Sequence, residues 1–357
     1  MTLIEAVPNI SEGRDPCVIQ AAREAIESGG STVLGIEPDA DYNRTVLTYV
    51  GSHDEVVRSS VQLIRVASEH IDMRHHEGNH PRMGAVDVMP FVPLGETKTE
   101  EAQFAVDEVY EQLESTHLMF KYGNSAKMPS RSRLPTLRKG GYEGLKERFL
   151  GGRWNNEETR HPDNWNGEWT EINEKFGAMA IGVRPVLIAY NVNVREEAPM
   201  ASSLAAKVIR SSGFPIKAGS GSKIRVRGLL QSVQGMGVPL ESHGISQVSM
   251  NLSDPDQTSI HLAYETIRSI IEPMGVEVSG SEIVGLVPLD SMLEAGRWYH
   301  GSDDDHETLV KKAIDGLGLN SLGEFDPNTR IIEWALRAMR EESVSYTHLT
   351  LPTNGLG

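Results

Sequence analysis

The chain has 357 residues, 39% of them hydrophobic and 24% charged, which is the balance of a globular protein with enough length for one large core or two smaller ones. Its 50 acidic residues outweigh 34 basic ones, and a formal charge of -16 argues against general attraction to nucleic acid or to anionic membranes. The single Cys17 cannot form an internal disulfide and suits a reducing, cytoplasmic setting; the opening MTLIEAVPNISEG lacks a signal-peptide pattern, and no stretch reaches the length of a membrane span.

Leu3 to Val7 reads as a first strand, stopped at Pro8-Asn9. Pro16 to Ser28 follows as a helix whose Val18, Ile19, Ala22 and Ile26 share one face, closed by Gly29-Gly30. Thr32 to Ile36 and Thr45 to Val50 are strands, antiparallel to each other, joined by the carboxylate-rich Glu37-Pro38-Asp39-Ala40-Asp41-Tyr42-Asn43-Arg44. Asp54 to His70 is an amphipathic helix, Val86 to Val92 a buried strand, Glu100 to Leu113 a helix and Met119 to Tyr122 a short strand. This order indicates an α+β sandwich, a mixed sheet with helices on one face, ferredoxin-like.

Between Asp72 and Leu94 the sequence DMRHHEGNHPRMGAVDVMPFVPL concentrates titratable side chains on a loop stiffened by Gly78, Pro81 and Gly84, beside a buried strand. That is the setting an active site requires. His76-Glu77-Gly78-Asn79-His80 spells the zinc-protease pattern, but that chemistry needs a continuous helix. Gly78 costs about 1 kcal/mol in a helix, and Pro81 pushes His80 out of the helical region, so no metal is expected here. His75 and His76 are expected to serve the scaffold or face solvent.

Residues 127 to 148 are locally basic and could hold carboxylates, or form a solvated face. Gly151 to Lys175 reads as a long loop, with Trp154, Trp165 and Trp169 arguing against disorder. A second half then resembles the first: strands at Ala178 to Ile181 and Val186 to Val194, a helix at Pro199 to Ser211, strand residues within Ile224 to Val233, a strand at Gln247 to Leu252, a helix at Thr258 to Met274, a strand at Ser281 to Val287, and helices at Asp290 to Tyr299 and Thr329 to Arg340. Both halves carry a strand that ends in Asn, at Asn9 and at Asn193. The expected division is 1–180 and 181–340, with a tail at 343–357, SVSYTHLTLPTNGLG, that reads as non-native adapter sequence.

Val7-Pro8-Asn9-Ile10-Ser11-Glu12-Gly13, Asn43-Arg44-Thr45-Val46, the His80-Pro81-Arg82-Met83-Gly84-Ala85 block, Gly141-Tyr142-Glu143-Gly144-Leu145, Leu187 to Asn193 and Gln247 to Leu252 together resemble the glutamate formiminotransferase family, in order, over residues 1 to about 337. The resemblance implies two α/β subdomains with a folate tunnel between them, a homodimer, and no metal. It also implies transfer of a formimino group from N-formimino-L-glutamate to N5 of tetrahydrofolate in histidine degradation. The cyclodeaminase fused in some relatives is missing from this sequence, so ring closure would fall to a separate protein. Competing readings are a 5-formyltetrahydrofolate/glutamate formyltransferase and a non-catalytic folate-binding module.

In that reaction the folate amine attacks an amidine carbon, loses a proton, and the departing glutamate nitrogen gains one. A single imidazole can do both in turn. His80 matches the family's catalytic histidine. The family's catalytic Asp aligns with Glu37, whose extra methylene moves the carboxylate by about 1.5 Å; Asp39 and Asp41 are fallbacks. Arg44 and Arg82 can take substrate carboxylates through bidentate geometry, and Asn43, Asn191, Asn193 and Asn251 can read a pterin or amidine through paired donor and acceptor. Gly177 and Ala178 match the Gly-Ala of the folate site. The stretch leading to them, Pro162 to Trp169 and on, is longer than the family's, so Trp165 or Trp169 is expected to stack on the folate.

Overall fold

A computed structural model describes residues 2–78, 81–217, 219 and 221–339. Asn79, His80 and the tail at 343–357 therefore lie outside the described residues. The chain divides into two compact units, 1–184 and 185–357.

In the first unit β1 (Ile4–Ala6) and β2 (Asn9–Ile10) are one strand broken at Pro8, since both pair with β4 on one side and β5 on the other. Proline has no N–H for the ladder, and the Pro8 carbonyl accepts from Leu47 N at 3.0 Å. α1 (Pro16–Ser28) begins on an Asp15 cap with Pro16 at its first position. β3 (Thr32–Asp39), β4 (Arg44–Gly51), α2 (His53–His70) and β5 (Val86–Pro93) complete a βαββαβ unit whose strand order is β3-β4-β1-β5, all antiparallel. That is the ferredoxin-like arrangement. α3 (Thr99–Leu113), β6 (Leu118–Lys121), α4 (Leu134–Leu137), α5 (Leu145–Phe149), α6 (Glu171–Phe176) and β7 (Ala178–Val183) extend it, with β7 inserted parallel between β5 and β6.

Strand alternation divides the core of this unit in two. Val86, Met89, Phe91, Met179 and Ile181 face α1, α2 and α3, while Val88, Phe120, Ala178 and Ala180 face Leu137, Leu145 and Phe149 on the other side. β5 is buried on both faces, so it reads as an unbroken apolar run instead of alternating.

The second unit repeats the plan: β8 (Ile188–Val194), α7 (Met200–Ile209), a separate hairpin of β9 (Phe214–Lys217) and β10 (Lys223–Val226), then β11 (Val233–Leu240), β12 (Ile245–Leu252), α8 (Ile260–Ile271) and β13 (Val278–Val284). Its order, β11-β12-β8-β13, is again ferredoxin-like. α9 (Leu289–His300), α10 (His306–Leu317), α11 (Pro327–Arg330) and helical residues 332–339 close the unit. Tyr190, Val192, Val194, Val248, Met250 and Ile283 point into its core. Among the described residues no helix is long and apolar enough to cross a membrane.

The expected fold class, two similar α+β subdomains, is the observed one. Several details differ. Ala178–Val183 does not open the second half; it is the β7 strand of the first sheet, because its alternating side chains fill both halves of the first core. Only the first sheet is mixed, and every pairing in the second is antiparallel. The Ile224 to Val233 stretch holds the end of the hairpin and the first residue of β11, not one strand. The loop before β7 contains α6, and α10 was not foreseen despite Leu309, Val310, Ala313, Ile314 and Leu317 lying on one buried face.

Candidate functional site

Ser11, Tyr42, Asn43, Arg44, His76, Arg82 and Asp87 line a depression of about 180 Å³ in the first unit. That space includes open solvent and none of it is enclosed room for even a water molecule, so the side chains here close on one another and form no ligand-sized cavity. Three segments meet in it: the turn after β2, the β3–β4 turn, and the loop from α2 to β5.

Asn43 closes the β3–β4 turn with a φ of 48°, a left-handed conformation that Asn tolerates better than most residues. It is 8% exposed. Its Oδ1 accepts from Gly13 N at 3.0 Å and its Nδ2 donates to the Glu77 carbonyl at 3.0 Å. The amide thus ties two loops together, and both ends expected to read a ligand are engaged by backbone. Ser11 completes the junction, its hydroxyl donating to the Gly84 carbonyl at 2.8 Å and its N–H to Ala85 O at 2.8 Å.

Arg82 is likewise turned inward. It grips Glu143 with two nitrogens, at 2.6 and 3.0 Å, and donates to His76 Nδ1 and to the His76 carbonyl, each at 3.1 Å. Such a fork geometry is what guanidinium supplies and ammonium cannot. The residue expected to meet a substrate carboxylate already holds a protein one. Burial raises the Glu143 pKa, but the Arg82 hydrogen bonds outweigh it and hold the carboxyl below its usual range.

Both nitrogens of His76 are engaged. Nδ1 accepts from Arg82 and Nε2 lies 2.9 Å from the Asn43 carbonyl, which requires the Nε2–H tautomer. Burial pushes its pKa below the ordinary value. Residues 75–78 are non-helical, so the backbone here is not that of the zinc-protease pattern.

Below these loops Asp87, 2% exposed, accepts from Met83 N at 2.8 Å and from Arg138. Burial raises its pKa against the opposing pull of Arg138. Arg44 is half-buried beside both; burial and the neighbouring Arg138 lower its pKa. Guanidiniums (Arg44, Arg82, Arg138) and carboxylates (Asp39, Asp87, Glu143) therefore interleave around the depression.

The other candidate residues lie elsewhere. Glu37 is exposed on β3 opposite Val46, outside the lining of the depression, and no hydrogen bond or ion pair among the described residues engages it. Asp39 accepts from Tyr42 N at 2.9 Å, a turn-forming contact. Gly177 bridges Gly84, and Ala178 is fully buried in the sheet. Trp165 and Trp169 pack on Phe149, with ring centroids 5.3 and 5.8 Å away, in the second core of the unit. Their faces serve that core. In the second unit, Asn193 Nδ2 donates to Ser321 Oγ at 2.9 Å and its Oδ1 accepts from Gln247 at 2.8 Å. Asn191 donates to Glu282 at 3.3 Å, and Asn251 is exposed on the same sheet face, two pairs along. His80 lies outside the described residues, between His76 and Arg82 in sequence.

The basic segment 127–148 is divided, with Arg133 and Lys139 exposed to solvent and the rest paired within the fold. Arg131 pairs with Asp163 at 2.8 Å, Arg138 with Asp87, and Lys146 with Glu174, while the buried Arg148 donates to the Leu137, Thr159 and Arg160 carbonyls. Reading the sequence left Arg138 and Glu143 out of the site and gave Asp87, within the candidate stretch, no role. An aspartate inside the apolar run Val86 to Val92 was the available signal, since a buried carboxylate needs a partner.

Two ferredoxin-like α+β subdomains in tandem, the first carrying this cluster of charged side chains, define the class of the protein by architecture. Its family follows from comparison with known sequences. The model of the formiminotransferase domain, N-terminal subdomain, matches residues 3–184, and that of the formiminotransferase domain matches residues 189–337. The chain belongs to the formiminotransferase family. It is 36% identical over 339 residues to the formimidoyltransferase-cyclodeaminase of Rattus norvegicus, covering 93% of this chain and 59% of that protein. It is 35% identical to the glutamate formimidoyltransferases of Streptococcus pyogenes serotype M1 and of Thermoplasma acidophilum, covering 88% of this chain and 99% of each of them. The chain thus spans about 60% of the length of the formimidoyltransferase-cyclodeaminases it matches and nearly all of the two glutamate formimidoyltransferases.

Proposed function

We propose that this chain is a glutamate formimidoyltransferase, moving the formimino group of N-formimino-L-glutamate to N5 of tetrahydrofolate and releasing L-glutamate, in histidine degradation. The observation that carries this reading is the match to both formiminotransferase subdomains, with 99% coverage of two relatives that bear the transferase name alone. Tetrahydrofolate is the co-substrate. A cytoplasmic homodimer completes the proposal.

His80 acts as general acid and base, taking a proton from folate N5 as the carbon–nitrogen bond forms and returning one to the glutamate nitrogen as it leaves. Glu37, exposed and engaged by no other described side chain, supplies the carboxylate that orients the imidazole or balances developing cationic charge. Arg44, whose planar guanidinium lines the depression, supports a substrate carboxylate. Asn191 and Asn251 share one polar sheet face of the second unit and are proposed as folate contacts, while Asn193 on the same face is fully buried and holds Ser321 and Gln247. The test is transfer from N-formimino-L-glutamate to tetrahydrofolate, wild type against His80→Ala. A fall of about 10²–10⁴-fold in the variant is expected. Wild-type protein that binds tetrahydrofolate and does not turn over would overturn the reaction, and an unimpaired variant would overturn the role of His80.

A further inference from the structure

We infer that His76, as a neutral imidazole, is a positioning residue that clasps the loop carrying His80, through a hydrogen bond from Arg82 that protonation of His76 abolishes. The inference rests on the reading of His80 as the acid–base group.

The geometry is that of a closed clasp. His76 and Arg82 stand at the two ends of a short segment, and Arg82 Nε–H donates to His76 Nδ1 at 3.1 Å, joining those ends. Arg82 also donates to the His76 carbonyl at 3.1 Å, so side chain and backbone are held together. Each end is anchored outward. Nε2–H of His76 donates to the Asn43 carbonyl, and the Asn43 amide reaches Glu77 O and Gly13 N. On the other side Glu143 grips Arg82 with both oxygens, and Tyr142 N donates to the Arg82 carbonyl at 2.9 Å.

Only one protonation state permits this. An imidazolium carries hydrogen on both nitrogens, so Nδ1–H would confront Arg82 Nε–H, and arginine cannot surrender its proton. The hydrogen bond is lost and two cations are placed in contact. The charged groups around His76 are Arg82 and, through it, Glu143 from the 142–144 turn, Glu12 and Arg14 from the turn after β2, and Arg44 and Asp87 across the pocket. Burial disfavours the imidazolium, and Arg82 and Arg14 add to that, against the opposing Asn43 carbonyl and Glu12. The clasp is therefore closed while His76 is neutral and is broken when His76 takes a proton, which burial shifts to lower pH than for an exposed histidine. Transfer then requires two histidines in the neutral form, His80 to accept a proton and His76 to hold the loop.

Two measurements test this on the full chain. Below both pKa values, kcat/KM for transfer should fall about 100-fold per pH unit in wild type, and about tenfold per unit in His76→Asn, which keeps an acceptor for Arg82 but does not titrate. Equal slopes in the two proteins would overturn the inference. Independently of activity, ¹⁵N-histidine NMR of the unliganded protein should show His76 as the Nε2–H tautomer, titrating below an exposed histidine. An Nδ1–H tautomer or an ordinary titration would overturn the clasp. Should transfer itself be absent, the functional reading fails, and the NMR result alone decides whether the clasp exists.

Discussion

Gly84 and Gly177 face each other across an isolated antiparallel bridge, flanked by Ala85 N–H to Phe176 O at 2.8 Å and Ala178 N–H to Met83 O at 3.1 Å. This contact fastens the end of the loop that follows His80 to the start of β7. A Cβ on Gly177 would sit 2.2 Å from the Met83 carbonyl oxygen, and one on Gly84 2.5 Å from Ala178 O. Gly177 also adopts φ 82° and ψ -137°, a region closed to other residues. Close backbone approach thus requires glycine at both positions. Gly177→Ala is expected to lose about 2–4 kcal/mol of stability. A urea midpoint within error of wild type would refute this account.

Asp87 is the buried counter-charge of the site. Asp87→Ala would leave Arg138 desolvated without its carboxylate partner, and such breakage typically costs about 3–5 kcal/mol. Asp87→Asn retains an acceptor for Met83 N–H and should cost less. Denaturant titration of both variants checks the ranking; a milder effect in the alanine variant would show that the site relaxes around the missing charge.

Trp165 and Trp169 contribute to packing on Phe149. Removing both rings should destabilise the first unit by about 2–4 kcal/mol and leave tetrahydrofolate affinity nearly intact. A double alanine variant that stays folded yet loses that affinity would restore a stacking role.

His117 makes the stability of the first unit depend on pH. Its ring nitrogens meet Ser68 Oγ at 2.7 Å and Thr116 Oγ1 at 2.9 Å, its ring abuts Phe176, and burial drives its pKa down to about 4. The unfolded chain, titrating near 6.5, binds the proton first. Stability is therefore full above about pH 6.5 and declines as pH falls from there through 4, by up to about 3 kcal/mol. His76, whose pKa is also lowered, adds to the loss in the same direction. Urea unfolding at a series of pH values should show this decline, and His117→Phe should reduce it. An undiminished slope in that variant would assign the effect elsewhere.

Much of the fold was legible because local signals agreed with it. The 3.6-residue spacing of Val18, Ala22 and Ile26 between Pro16 and Gly29 marked α1 to the residue, and the period of α2 was as clear. The strand and helix order of the first half already spelled the ferredoxin-like plan. The β9–β10 hairpin was hidden because its strands are four residues each and exposed. The place of β7 was hidden for a different reason: a strand buried on both faces carries no alternation to show which sheet it enters.

What the sequence determined by itself was the set of elements, the family pattern, and the concentration of reactive groups on a Gly- and Pro-stiffened loop. These follow from spacing and backbone preference, which act over a few residues. Tertiary structure alone decided which partner each polar group takes. Arg82 reaches Glu143 across 61 residues, Arg138 reaches Asp87 across 51, and Asn43 meets Gly13 and Glu77 at once. A sequence shows that a buried arginine or amide must be satisfied. Only the folding of distant segments onto one another selects what satisfies it, and so separates the groups left for a substrate from those holding the site together.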